Sequence, residues 1–233
     1  MRISTDSQKD GPSLADKLTR GVVVLGLGRF GRSLALELMA AGDDVLGVDA
    51  DPRLVQQLSG RLTHIVEGDT TSEEVLRQLN IGDFSRAVVG MGTDLEASIL
   101  TASVVLDLGV KQVWAKAISA SHARILTQIG VHHVVRPEHD MGKKVAHLVR
   151  GRMLDYIEFD DGYAFVRTRV PQAMHGRSLS GFGVRQLYDV TVVGVKPAGG
   201  EFTYATPETV LRAGDEIIVS GQQRKVEAFA ALS

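Results

Sequence analysis

Short apolar runs recur along the first 135 residues at a regular pace: Val22–Leu25, Val45–Val48, His64–Val66, Ala87–Gly90, Gln112–Lys116 and His133–Val135. Each is short enough for a strand, and helical patterns fill the gaps between them. Residues 29–41 place Phe30, Leu34 and Leu38 four apart, with Gly42 as a C′ residue. Residues 52–58 open on Pro52 at a favoured first helical position. Residues 72–79 begin like a capping box, with Ser72 followed by Glu73 and Glu74. Residues 94–108 and 120–129 complete the series. Apolar strands alternating with helices predict an α/β fold, a Rossmann-like doubly wound parallel sheet covered on both faces by right-handed crossovers.

Arg136-Pro137 closes that series. Residues 139–154 then carry Met141, Val145, Leu148, Val149 and Met153 on one helical stripe, with Lys143, Lys144, Arg150 and Arg152 opposite. This crossover helix follows a finished sheet, so its apolar face needs another surface, either its own domain or a second copy of the chain. From Tyr156 the pattern changes to strands at Tyr156–Phe159, Tyr163–Val170, Val190–Lys196 and Glu216–Ser220. Turns fall at Asp161-Gly162, Ala198-Gly199-Gly200 and Gly214-Asp215, and short helices are expected at 181–188 and 222–231. The domain plan is therefore a disordered leader at 1–20, a first domain at 21–138, a helix at 139–155 and a small α+β domain at 156–233.

Composition narrows the chemistry. The net charge of −2 gives no general pull toward nucleic acid or an anionic membrane face. With no cysteine in 233 residues, disulfides, zinc–thiolate sites and thiol nucleophiles are excluded. No apolar run approaches the ~20 residues that span a bilayer, and the polar first twenty residues lack the apolar core of a signal peptide. His132, His133 and His139 lie close in sequence, yet their spacing fits no zinc pattern, and loop histidines are the expectation.

The chemistry concentrates at Gly26-Leu27-Gly28-Arg29-Phe30-Gly31, directly after the first strand and opening a helix. In this G-x-G-x-x-G arrangement Gly26 makes the turn, Gly28 lets backbone approach phosphate oxygens, and Gly31 lets helix and strand pack closely. The free N–H groups of the helix then face the phosphates. Asp49 ends the second strand, where a carboxylate accepts from ribose hydroxyls and repels the 2′-phosphate of NADP. Beside it in Asp49-Ala50-Asp51, Asp51 either supports the ribose or caps the helix at Pro52. Gly68-Asp69-Thr70 ends the third strand, where Asp69 reaches an adenine edge or belongs to the turn. Gly90-Met91-Gly92 ends the fourth strand and lets backbone approach a nucleotide. Lys116 ends the fifth among apolar neighbours, a costly place unless a phosphate or an acid satisfies it.

The glycine motif, Gly90-Met91-Gly92-Thr93, Trp114-Ala115-Lys116-Ala117 and Arg136-Pro137-Glu138-His139-Asp140-Met141-Gly142 follow one another at fixed intervals, with Leu211-Arg212-Ala213-Gly214-Asp215-Glu216 near the end. In this the chain resembles the regulatory subunits of bacterial Ktr/Trk-type potassium transporters, built from one RCK N-domain and one RCK C-domain. The resemblance covers nearly everything after residue 20. It implies a cytoplasmic protein without enzymatic activity, in which ATP or ADP, or in some members NAD(H), occupies the N-domain. It also implies subunits that pair through the crossover helix, assemble into an octameric ring and dock under a membrane potassium translocator. By the same resemblance Arg29 faces the terminal phosphate. Glu138 approaches the nucleotide of a neighbouring subunit, holding Mg2+ or Ca2+ or sensing the γ-phosphate, though a carboxylate at a helix start is equally explained by the dipole. Arg185, in Val184-Arg185-Gln186-Leu187-Tyr188, falls where such proteins bind cyclic di-AMP, and an exposed helical arginine is the alternative. A nicotinamide-dependent oxidoreductase and a free-standing nucleotide sensor are the competing readings; for the first, the only histidine after residue 155 is His175.

Overall fold

The computed structural model describes residues 21–150, 153–159 and 161–233. The leader expected at 1–20, and Arg152 on the polar side of the crossover helix, lie outside the described residues. The chain divides into two compact units, one ending at Glu138 and one beginning at His139.

In the first unit the sequence alternates as predicted: β1 (Val22–Leu25), α1 (Arg29–Ala40), β2 (Val45–Asp49), α2 (Pro52–Leu58), β3 (His64–Glu67), α3 (Glu73–Gln78), β4 (Arg86–Val89), α4 (Leu95–Asp107), β5 (Gln112–Lys116), α5 (Ala120–Gln128) and β6 (His133–Val135). The six strands form one parallel sheet in the order β3-β2-β1-β4-β5-β6. β1 is wholly buried because its side chains feed two cores. Val23 and Leu25 join the larger one with Val89, Ala115 and Leu126, and Val22 and Val24 join Ala35, Leu58 and Val88 on the opposite face. The strand order reverses between β1 and β4, and at such a switch point the loops beyond the strand ends separate and leave a crevice.

Helix ends follow local chemistry. At the end of α1, Gly42 has φ +91°, its N–H bonds to the Met39 carbonyl and that of Asp43 to Leu38. This is a Schellman arrangement, with Gly42 at the C′ position the sequence predicted. The capping box at Ser72 is only half formed. Ser72 Oγ accepts from Val75 N–H at 3.4 Å, but the residue that should return the bond is Val75 itself, which has no acceptor.

Around the chain's second core lie α6 (Pro137–Val149), β7 (Asp155–Glu158), β8 (Tyr163–Arg169), α7 (Leu179–Phe182), α8 (Val184–Tyr188), β9 (Thr191–Lys196), β10 (Thr203–Tyr204), β11 (Glu216–Gln222) and α9 (Gln223–Ala230). The strands pair antiparallel in the order β10-β9-β11-β8-β7, and α9 lays Val226, Phe229 and Ala230 on the core. The single helix expected at 181–188 is two, broken at Gly183 with φ +72°, a left-handed turn that ends α7. β10 escaped the sequence because it is two exposed residues long. The crossover helix is shorter than its apolar stripe. It starts at Pro137 and ends at Val149, and Met153 is buried beyond it in the second core. Leu148 packs on that core, whereas Met141, Val145 and Val149 stay exposed.

Backbone packing at the β1–α1 turn is the tightest point of the first unit. A Cβ on Gly31 would stand 1.9 Å from the Gly26 carbonyl oxygen, and one on Gly90 would stand 2.8 Å from the same atom. Gly31→Ala is expected to destabilise the first unit by about 1–3 kcal/mol. In thermal unfolding that is a fall of roughly 3–10 °C, and an unchanged midpoint would show that the turn can relax at no cost.

Candidate functional site: a cleft at the strand switch point

The crevice is a cleft of about 940 Å³. Its lining brings together, from the predicted set, Gly26, Gly28, Arg29, Phe30, Asp49, Ala50, Asp69, Thr70, Gly90, Met91, Gly92, Lys116 and Glu138. The ends of β1 to β5 supply all of these but Glu138, which stands in the first turn of the helix after β6. Leu27, Gly31, Asp51 and Gly68 are not on the wall. Leu27 is fully buried in the smaller core, Gly31 is the contact point of α1 on β1, and a Cβ on Gly68 would press on Val75 at 3.1 Å. Asp51 takes the capping role, accepting from Arg53 N–H at 2.9 Å. Its carboxyl is held below the usual range, chiefly by the hydrogen bond from the Arg53 side chain.

Leu54, Thr71, Thr93, Asp94, Ala97 and Ile118 also line the cleft. Thr93 and Asp94 were signalled by their place between Gly92 and α4. Leu54 and Ile118 gave no signal, since each reads as an ordinary apolar position.

The glycine turn is held by a carboxylate. Asp49 Oδ2 accepts from Leu27 N–H at 2.5 Å and Oδ1 from Asp51 N–H at 2.8 Å, so one side chain ties the end of β2 to the turn after β1. Carboxylate oxygens have further lone pairs for a ligand hydroxyl. Asp69 accepts from the N–H and hydroxyl of Thr71, and these bonds lower its pKa. Thr70 and Thr101 share a buried hydroxyl contact at 3.1 Å beneath the floor.

The N-terminus of α1 is built unlike those around it. The four helices that follow it in this unit are capped by the side chains of Asp51, Ser72, Asp94 and Ser119. α1 has Gly28 at its N-cap, no side-chain hydrogen bond there and no acid in its first turn. Instead Arg29 stands at the start, a cation at the positive end of the dipole. Gly28 has φ −59°, a value open to any residue, and a Cβ on it would meet nothing within 4 Å. Protein packing therefore does not demand glycine here, whereas an incoming anion would need that space.

Lys116 finds the acid it requires. Its Nζ lies 2.6 Å from Glu138 Oε1, and that hydrogen bond is the main cause holding the Glu138 carboxyl below its ordinary value. Among the described residues no three His, Cys, Asp or Glu side chains cluster as a cation site. Glu138 alone, already neutralised by a lysine, does not fit a divalent cation within one chain. The neighbouring histidines are dispersed: His132 accepts from Val113 N–H, His133 stacks on Trp114, and His139 contacts Asp140. In the second unit Arg185 lies on the rim of a hollow of about 380 Å³ with Gln186, Thr191 and Thr206. His175, the histidine of the oxidoreductase reading, is bonded to the Val170 carbonyl in the second unit.

Comparison with known proteins agrees with this architecture. The TrkA-N domain model matches residues 22–137 and the TrkA-C domain model residues 165–233. Ktr system potassium uptake protein C of Bacillus subtilis is 32% identical over 207 residues, which is 88% of this chain and 94% of that protein. This chain belongs to the Ktr potassium uptake family. The Ktr system potassium uptake protein A of Vibrio alginolyticus is 34% identical over 204 residues, covering 87% of this chain and 93% of the relative. A solved structure described as the GsuK channel bound to NAD overlays with a TM-score of 0.63 at 19% identity. That alignment covers 92% of this chain but only 39% of the channel chain, so the likeness is one of fold. Among the described residues of this Ktr-family chain, no helix is long and apolar enough to cross a membrane.

The double bond of Asp49 to the turn can be tested directly. Asp49→Asn offers one oxygen to two N–H donors, so one of them loses its partner. The expected cost is about 1–3 kcal/mol in denaturant unfolding. A variant within ~0.5 kcal/mol of the parent would show that the carboxylate does not hold the turn.

Proposed function

We propose that this protein is a nucleotide-sensing regulatory subunit of a potassium uptake system, with an adenine nucleotide as the signal bound in the switch-point cleft. The observation that carries the reading is the uncapped start of α1, open at Gly28 and flanked by Arg29. Phosphates would take the place of the missing cap, Arg29 and Lys116 would supply charge-assisted bonds, and Asp49 would receive the ribose. Because the acids of the cleft lining already hold hydrogen-bond or ion-pair partners within the chain, they suit binding rather than chemical conversion. The resemblance to Ktr/Trk-type regulatory subunits points to ATP/ADP as the ligand pair, and the GsuK channel structure described as bound to NAD supports NAD(H) as the alternative occupant.

Signalling requires that two ligands favour different conformations, since equal affinity for both states shifts nothing. The γ-phosphate is the group that distinguishes ATP from ADP, and Arg29 is its reader. The exposed stripe of Met141, Val145 and Val149 on α6 is the surface through which two copies would pair on the way to an octameric ring. Such a ring would sit on the cytoplasmic side of the membrane against the transporter's translocating subunit. Cyclic di-AMP at the Arg185 hollow is a further ligand of the same regulatory reading, tested by calorimetry with that dinucleotide alone.

Two substitutions test the reading. Gly28→Asp places a capping carboxylate in the open space. It should leave the ligand-free unfolding free energy equal or raised by a few tenths of a kcal/mol. The same change should weaken ADP binding at least tenfold, as measured by calorimetry. Arg29→Ala should keep ADP affinity within a few-fold while erasing the difference between ATP and ADP; retained discrimination would remove Arg29 from that role.

A further inference from the structure

Four acids and two cations line the cleft: Asp49, Asp69, Asp94 and Glu138 against Arg29 and Lys116. A polyanion would enter a lining that is already net negative, and the partners of each acid decide how that is resolved. Asp49 holds the backbone N–H groups of Leu27 and Asp51. Asp69 holds the N–H and hydroxyl of Thr71, and Asp94 caps α4 through Ala97 N–H. These three are fixed by the turns they stabilise. Glu138 differs, because its partner is the cleft's own lysine.

The geometry gives that lysine few alternatives. The Lys116 side chain is 12% exposed while that of Glu138 is 64% exposed. Its ammonium lies 5.7 Å from the Phe30 ring centroid, and a Cβ on Gly92 would stand 3.4 Å from it. The cation is thus enclosed and the acid is the exposed member of the pair. A ligand phosphate that reaches Lys116 meets the Glu138 carboxylate on the same ammonium, and the two anions repel at close range.

We propose that Glu138 is an internal counter-ion that competes with the ligand's phosphates for Lys116, so that nucleotide binding releases Glu138. The inference rests on the nucleotide reading above and adds a mode of control to it. Glu138 stands in the first turn of α6, immediately after Pro137. The ion pair therefore ties the end of β5 to the start of that helix, and a bound phosphate undoes the tie. The sign of the effect separates this role from that of a ligand-holding glutamate. A counter-ion hinders binding, whereas a carboxylate that reaches the nucleotide through a cation assists it.

The test is calorimetric titration of the full chain with ADP and with adenosine, in the presence of a chelator. Glu138→Gln should tighten ADP binding by roughly three- to tenfold and leave adenosine binding unchanged. Lys116→Met should weaken ADP binding, and in that background Glu138→Gln should change it by less than about twofold. Weaker or unaltered ADP binding by Glu138→Gln overturns the counter-ion role. So does equal tightening in the Lys116→Met background, which would mark a general charge effect. If the parent protein binds no ADP, the nucleotide reading falls and the counter-ion falls with it. If it binds ADP without a gain in Glu138→Gln, only the counter-ion falls.

Discussion

Close backbone approach at the β1–α1 turn is the constraint on which the rest of this structure depends. The carbonyl of Gly26 sits where side chains on Gly31 or Gly90 would be, so the turn, the first helix and the end of β4 meet through bare main chain. That contact sets α1 directly over the end of β1 and brings its N-terminal N–H groups to the sheet's switch point. It also fixes the distance between the two halves of the sheet, and hence the width of the crevice beyond them. Asp49 completes the arrangement by bonding across from β2 to the turn. Loss of any one of these would displace the helix end from the place where charge is needed.

Electrostatics then separates architecture from recognition within one small region. The acids at Asp51, Asp69 and Asp94 serve backbone donors, and the four helices that follow α1 in the first unit are closed by side chains of their own chain. α1 departs from the pattern by carrying a glycine cap and an arginine. A helix that leaves its first N–H groups open, with a cation added, is less stable alone than a capped one. An anionic ligand, as proposed, would offset this, so the same feature that weakens the empty site would strengthen the filled one.

Most of this was legible in the sequence, for identifiable reasons. Val22–Leu25 and its counterparts are buried on both faces, so parallel strands appear as unbroken apolar runs. The glycine motif, Asp49 and Lys116 could be placed because each stands at a strand end, where chain order predicts a common crevice. Less visible were features that depend on partners distant in sequence. Lys116 needed an acid or a phosphate, and only the folded chain selects Glu138 as the acid. Asp51 was ambiguous between ribose and cap, and the local turn decides for the cap. Leu54 and Ile118 line the wall by orientation alone, which periodicity does not report. The break at Gly183 was missed because five-residue helices carry too few positions to show a period.

The proposed role of the cleft in signalling rather than reaction rests on what its walls can do. General acid or base work needs a titratable group free to exchange a proton near the reacting atoms. Among the described lining residues, Asp49, Asp69 and Asp94 are occupied by backbone donors and Glu138 by a lysine. His175 is spent on a carbonyl in the other unit. What remains adjustable is the pairing of charges: an arginine at a helix start, and an enclosed lysine with an exposed glutamate as its partner. On the proposed nucleotide reading, those groups would respond to how many phosphates the ligand carries. Binding energy that differs between ligands is the one requirement a two-state regulator must meet, and on the proposed reading such a difference would arise at the Arg29 and Lys116 end of the cleft.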